Sequence, residues 1–297
     1  KCRDYAMKQV DGQRKDFVRI GVFGDWDKPY LTMNFGVEAD IIRALGKIVA
    51  NGHLVKGYKP VYWSVVGGSA LAEAEVEYQD KTSFTIDVAY PVTDEVQLVK
   101  VAKAFGALAG EGQVNVLIWT TTPWTIPSSQ AISVGPELSY SLVQCATENG
   151  PKRLICSQLL LESVMTRLEI EDYTVLASCM GEELEGVIAE HPLYQRKIPL
   201  LLGDHVTTDA GTGCVHTAPD HGVEDFVVAK KYGIDTLNFV MDNGTFRDDV
   251  ELFAGEHVYK VDQHVVDVLS EHGRLMASGK ITHSYAHCWR TKTPLIY

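Results

Sequence analysis

The sequence has no apolar run approaching the roughly 18–20 residues needed to cross a bilayer, and no partner in a membrane is expected. It has no charged-then-apolar secretory leader: its first ten residues are KCRDYAMKQV. The absence of an initiator Met marks it as an expected piece of a longer protein. Its six cysteines (Cys2, Cys145, Cys156, Cys179, Cys214, Cys288) form no Cys-x-x-Cys pair. Reduced thiols of a cytoplasmic protein are therefore expected, not a disulfide framework or a zinc knuckle. Nor is there a phosphate-binding loop, since Gly211-Thr212-Gly213 is too short for a dinucleotide fingerprint. No internal repeat or low-complexity segment interrupts the chain.

What remains is globular composition over 297 residues, 45% hydrophobic and 22% charged, enough for one large domain or two ordinary ones. The net charge of −12 argues against non-specific nucleic-acid binding. The charge is uneven, however. Residues 1–60 hold 11 Lys and Arg against 7 Asp and Glu, and the remainder holds 16 against 32. A basic arm on an acidic body can dock RNA locally, and a solvated charged face gives the same count.

Apolar spacing at Ile41, Ile42, Leu45, Ile48 and Val49 predicts a helix over 38–51, stopped by Gly52. Further helices are predicted from a Ser157 cap to Leu168, from an Asp220 cap over 221–232, and over 262–272. Residues 71–78 alternate apolar and acidic and read as a strand. Short β-rich runs follow at 86–92, 114–121, 131–134, 140–145, 153–156, 173–177, 198–202 and 213–216. The expected class is mixed α/β, a β-barrel-like domain decorated with helices.

Two stretches concentrate chemistry. Gly211–Phe226 (GTGCVHTAPDHGVEDF) carries Cys214, His216, Asp220, His221, Glu224 and Asp225 on an irregular backbone. Cores rarely gather ionisable groups so densely, because unpaired buried charge is costly, whereas sites do. Trp119–Ser129 (WTTTPWTIPSS) places Thr120, Thr121, Thr122 and Thr125 where a strand meets Pro123. Hydroxyls at a strand end can bond an ester carbonyl, a ribose or water without adding charge. A single threonine there is an ordinary strand residue; a run of three followed by Pro-Trp-Thr points to a site. Asp225 is either a favourable acid at a helix N-terminus, worth about 0.3–1 kcal/mol, or an anchor for a substrate ammonium group. His216, His221 and Asp225 also allow a metal-dependent hydrolase, though their spacing fits no helix-borne ligand pair.

These two stretches resemble the signature regions of the editing domain of class I aminoacyl-tRNA synthetases. The flanks at 9–33, 56–78 and 283–297 are most similar to the isoleucyl branch, ahead of the valyl and leucyl ones. The resemblance covers nearly the whole chain. It implies the connective insertion of a Rossmann catalytic domain: a stem over 1–80, the editing domain over 81–282, and a returning stem over 283–297. No HIGH-like or KMSKS-like motif is present, so amino-acid activation is not expected, and ATP and Mg would serve only the catalytic domain.

By the same resemblance, Asp225 holds the α-ammonium of a misattached amino acid. Thr120, Thr121, Thr122 and Thr125 wall the substrate, and His216 shapes the side-chain sieve. Trp124, Ser129 and His221 are further expected substrate contacts. The implied reaction is hydrolysis of valine from isoleucine tRNA, whose 3′ end is the expected partner. Alternatives are a 3′-end binding module without turnover, and valyl-like removal of threonine. Ser129 departs from an Asn frequent in relatives. Asp220 departs from a Gly, adding a negative charge near the pocket mouth. Where relatives often carry zinc-binding Cys pairs, this chain has Ser64, Gly67, Cys288 and Thr291, so that site is expected to be lost and no cofactor is expected.

Overall fold

The computed structural model describes residues 1–147 and 150–297, in two compact units, Lys1–Tyr58 and Lys59–Tyr297. The second unit therefore takes in residues 59–80 and 283–297 of the expected stem.

The first unit is a pair of helices, α1 (Cys2–Arg19) and α2 (Phe35–Ala50). Arg3 links them: its guanidinium donates to both carboxylate oxygens of Glu38, at 2.5 and 2.6 Å, and sits 4.4 Å from the Phe35 ring centre. The predicted apolar stripe on α2 is present but solvent-facing, with Ile41, Ile42 and Ile48 all about half exposed or more.

The second unit opens with a small hairpin, β1 (Trp63–Ser64) and β2 (Ser69–Ala70). Residues 73–75 form a 3-10 turn, so the predicted strand at 71–78 starts only at Val76. From there run β3 (Val76–Val92), α3 (Glu95–Ala104), β4 (Gln113–Thr120), β5 (Ala131–Val134), β6 (Ser139–Thr147) and β7 (Gly150–Ser157). Then come α4 (Leu161–Arg167), β8 (Tyr173–Met180), β9 (Ile188–Glu190), β10 (Lys197–Leu202), β11 (Cys214–Thr217), α5 (Val223–Lys231), α6 (Asp262–Glu271) and β12 (Leu275–Cys288).

Six strands form one sheet in the order β12-β3-β4-β7-β6-β8, and four form another in the order β11-β5-β10-β9. Strand β11 lies against β4, and β9 against β3, so the sheets wrap one core without sharing a ladder. This is the mixed α/β, barrel-like architecture expected.

The middle of the large sheet, β4, β6 and the inner half of β3, is largely buried on both faces, which is why these strands read as continuous apolar runs. Val116 and Ile118 point into the main core with Ile86, Val88, Ile132 and Leu200. Leu117, between them, points to the opposite face, where Val164 and Met165 of α4 cover it. Each such fully buried side chain contributes roughly 1.5–3 kcal/mol.

Two predicted caps are replaced. Ser157 makes no side-chain cap, because a 3-10 turn at 158–160 separates it from α4. Asp220 does not cap α5, whose N-cap is Gly222; its carboxylate accepts from the Leu237 N–H instead.

Candidate functional site

The strand β4 ends at Thr120, and Pro123 stops it by removing an N–H from the ladder. The chain then winds through a 3-10 turn, Pro123–Ser128, all of it buried. Opposite, β11 ends at Thr217, and irregular backbone leads to α5. Antiparallel pairing of β11 with β5 sets His216 beside Ile132, and the Gln130 N–H donates to the Thr217 carbonyl at 2.9 Å. The two chemistry-rich stretches therefore meet along one seam.

Their side chains interlock. Thr120 and Thr122 hydroxyls lie 3.1 Å apart. The Thr125 hydroxyl donates to the Thr122 carbonyl at 2.9 Å and lies 3.0 Å from His216 Nε2. With its hydrogen so engaged, the hydroxyl accepts from the ring, which puts the His216 proton on Nε2. Burial lowers the His216 pKa to about 4, so the imidazole is neutral at physiological pH. His221 Nε2 lies 3.2 Å from the Ser128 hydroxyl, and its ring meets Trp124 edge-on at 4.8 Å. Burial brings its pKa to about 4 as well.

Asp225 sits in the first turn of α5. One carboxylate oxygen accepts from the Ala218 N–H at 2.8 Å, two residues beyond His216. The side chain is only partly covered, yet its carboxyl is pushed up to about 7. Burial is the main cause; the Ala218 bond opposes it and the Glu224 charge adds to it. A carboxylate so short of partners is poised for a cation, which would relieve the desolvation.

The remaining predicted residues fall at different depths. Thr121 is half-buried at the end of β4. Ser129 is fully buried, its hydroxyl accepting from Tyr90 at 3.2 Å, so it lies beneath the turn. Asp220, bonded to Leu237, ties down the segment after α5. Among the described residues, no three or more His, Cys, Asp or Glu are arranged to hold a metal. His216 and His221 turn toward hydroxyls, and Asp225 toward a backbone N–H.

The four positions of the expected lost zinc site do converge: Ser64, Gly67, Cys288 and Thr291 line one small cavity. One thiol, two hydroxyls and a glycine are not a zinc donor set, which calls for four thiolates or imidazoles. The corner is closed by other bonds. Ser64 Oγ accepts from the Gly67 N–H at 3.0 Å, and the Thr291 and Thr293 hydroxyls lie 2.8 Å apart.

Three contributors carried no motif. His191, from the loop after β9, bonds the Ile126 carbonyl at 2.9 Å. Arg196 donates to the carbonyls of Pro127 and Ser129 at 2.9 and 2.8 Å. Asp262, at the start of α6, accepts from the Trp124 N–H at 3.1 Å. Their only sequence signal is polarity beside apolar strands.

Two family signatures match the chain. "tRNA synthetases class I (I, L, M and V)" covers residues 1–124, and "Leucyl-tRNA synthetase, editing domain" covers residues 106–283. The isoleucine–tRNA ligase of Hahella chejuensis is 65% identical over all of this chain, and that of Saccharophagus degradans 61%. The chain spans 31% of the length of these curated relatives. The solved structure of GlLeuRS-CP1 superposes on 64% of this chain and 97% of its own, with a TM-score of 0.51 at 16% identity, a likeness of fold.

Proposed function

Because the chain belongs to the family of leucyl-tRNA synthetase editing domains, we propose that its seam is a hydrolytic site that removes a misattached amino acid from the 3′ end of a tRNA. The relatives are isoleucine–tRNA ligases, so the tRNA proposed is the isoleucine one, and valine the amino acid removed. A pocket gains only roughly 1–3 kcal/mol from one methylene, the limit for which isoleucine against valine is the standing example. A second, smaller pocket can reject isoleucine by size.

The observation that carries this reading is the seam itself: Asp225 is bonded to the Ala218 N–H two residues beyond His216, and His216 in turn meets the interlocked hydroxyls of Thr120, Thr122 and Thr125. Asp225 binds the α-ammonium and so orients the ester. The hydroxyls of Thr120, Thr121 and Thr122 stabilise negative charge as it develops on the carbonyl oxygen. A water adds to the ester carbon, the bond to the ribose oxygen breaks, and that oxygen takes a proton, releasing valine and free tRNA. Neutral His216, held by Thr125, is a rigid wall of the side-chain pocket. Neither histidine reads as the general base, which leaves a ribose hydroxyl of the terminal adenosine to assist the water.

The test is deacylation of valyl- and isoleucyl-tRNA(Ile), with Asp225→Ala alongside. Selective release of valine that the variant loses is the expected result. Binding of an aminoacyl-adenosine analogue without release would leave a 3′-end binding module and refute the hydrolytic reading.

A further inference from the structure

The turn that carries the proposed substrate wall is held from outside. Two of its residues, Pro123 and Pro127, lack an N–H, so a turn this short makes few bonds of its own; the Ser129 N–H on the Ile126 carbonyl at 3.0 Å closes its end. Two side chains from the loop between β9 and β10 brace that end. His191 Nδ1 accepts from the Leu193 and Tyr194 N–H groups, both at 3.1 Å. That fixes the ring proton on Nε2, which donates to the Ile126 carbonyl at 2.9 Å. Burial drives the His191 pKa to about 3, so this arrangement holds across physiological pH. One guanidinium nitrogen of Arg196 spans the Pro127 and Ser129 carbonyls. The loop is itself fixed, with the His191 N–H on the Arg196 carbonyl at 2.9 Å and the His191 ring stacked on Tyr194 at 4.9 Å.

Resting on the editing reading, we propose that His191 and Arg196 are positioning residues for the reaction: together they clamp the carbonyls of Ile126, Pro127 and Ser129 and so set where Thr125 and Ser128 stand. Among the described residues, both bond the backbone of the turn and not the side chains of Thr125, Ser128 or Asp225. The clamped segment carries Thr125, bonded to His216, and Ser128, bonded to His221. A displacement of about 1 Å at such groups can cost on the order of 100-fold in rate. Loss of the clamp therefore acts on turnover more than on binding, because Asp225 stands on another element. Arg196 is the cleaner half to perturb, since it is partly exposed whereas His191 is buried.

The experiment compares wild type, Arg196→Ala, Arg196→Lys and His191→Gln in deacylation of valyl-tRNA(Ile), in Tm, and in hydrogen–deuterium exchange over residues 120–130. Wild-type hydrolysis judges the editing reading alone. For Arg196→Ala the clamp requires at least tenfold faster exchange in that segment, with Tm held within a few degrees. It also requires a 10- to 100-fold fall in kcat with KM within about twofold, and partial rescue by millimolar guanidinium. Arg196→Lys and His191→Gln, which keep a donor, fall less. Unchanged exchange in the segment overturns the proposal, whatever the activity. So does a loss of activity that tracks a fall in Tm and resists guanidinium.

Discussion

Replacing Asp225 by asparagine should stabilise the protein, and only above acidic pH. The wild-type carboxyl titrates near 7 when folded, against 3.8 for the ordinary group. A folded pKa raised above the unfolded one gives stability that is full below about pH 4 and is lost as pH climbs through 7. Three units at 1.36 kcal/mol each set a ceiling of about 4 kcal/mol. One edge of the side chain stays wet, which brings the realised difference to about 2–3 kcal/mol. Asparagine keeps an oxygen for the Ala218 N–H but cannot ionise. Urea denaturation of both proteins at half-unit steps from pH 4 to 8.5 gives the difference directly, and contributions common to both cancel. The curves should coincide near pH 4 and diverge by pH 8 to about 2–3 kcal/mol in favour of the Asp225→Asn variant. A gap independent of pH would refute the argument that desolvation governs this carboxylate.

Further outcomes follow from the same geometry. Wild-type deacylation should rise as pH passes through about 7, since only ionised Asp225 holds an ammonium group, and neither His216 nor His221 should add an inflection above pH 6; a pH-rate profile measures this. Chelation by EDTA should change neither deacylation nor Tm, because the corner at Ser64, Gly67, Cys288 and Thr291 lacks a zinc donor set. Arg167→Ala should cost about 3 kcal/mol by urea denaturation. It strands Asp87, which is 2% exposed and bonded by the guanidinium at 2.7 and 2.8 Å, and pairing it with Asp87→Leu should restore much of the loss. Gly213→Ala should cost roughly 2–5 kcal/mol, because φ is +74° and a Cβ there would lie 2.4 Å from that of Ser157.

The strands were legible because apolar β-rich runs bounded by turn residues have few other uses, and β5 coincides with its predicted limits. Helix α1 was not, because the polar run DGQRKD at 11–16 interrupts any apolar stripe along it. Helix α3 left a signal that could have been used: Asp94 caps it through the Val96 N–H, ahead of Val96, Leu98 and Val101. At the site, Thr125, His216 and Asp225 stood out by local density. His191 and Arg196 did not, because their partners lie 65 and 67–69 residues away and a lone polar residue has no spacing to read. Asp220 was misread for a related reason. An acid just ahead of a helix usually serves that helix, and here a backbone N–H 17 residues downstream competes successfully for it.

The pairing of β3 with β12 also bears on how the chain is made. At about 5–20 residues per second, the roughly 180 residues between these strands take on the order of 10–40 seconds to emerge from a ribosome. Strand β3 can pair with β4 within moments, but its other edge waits for β12. An edge left open for that long invites pairing with a neighbouring nascent chain. The outer half of β3 reads VEYQDKTS, with Glu77, Asp80 and Lys81 spaced along it. Charges spaced along a waiting edge disfavour dry association with a neighbour, a property the strand has before it becomes one rail of the finished ribbon.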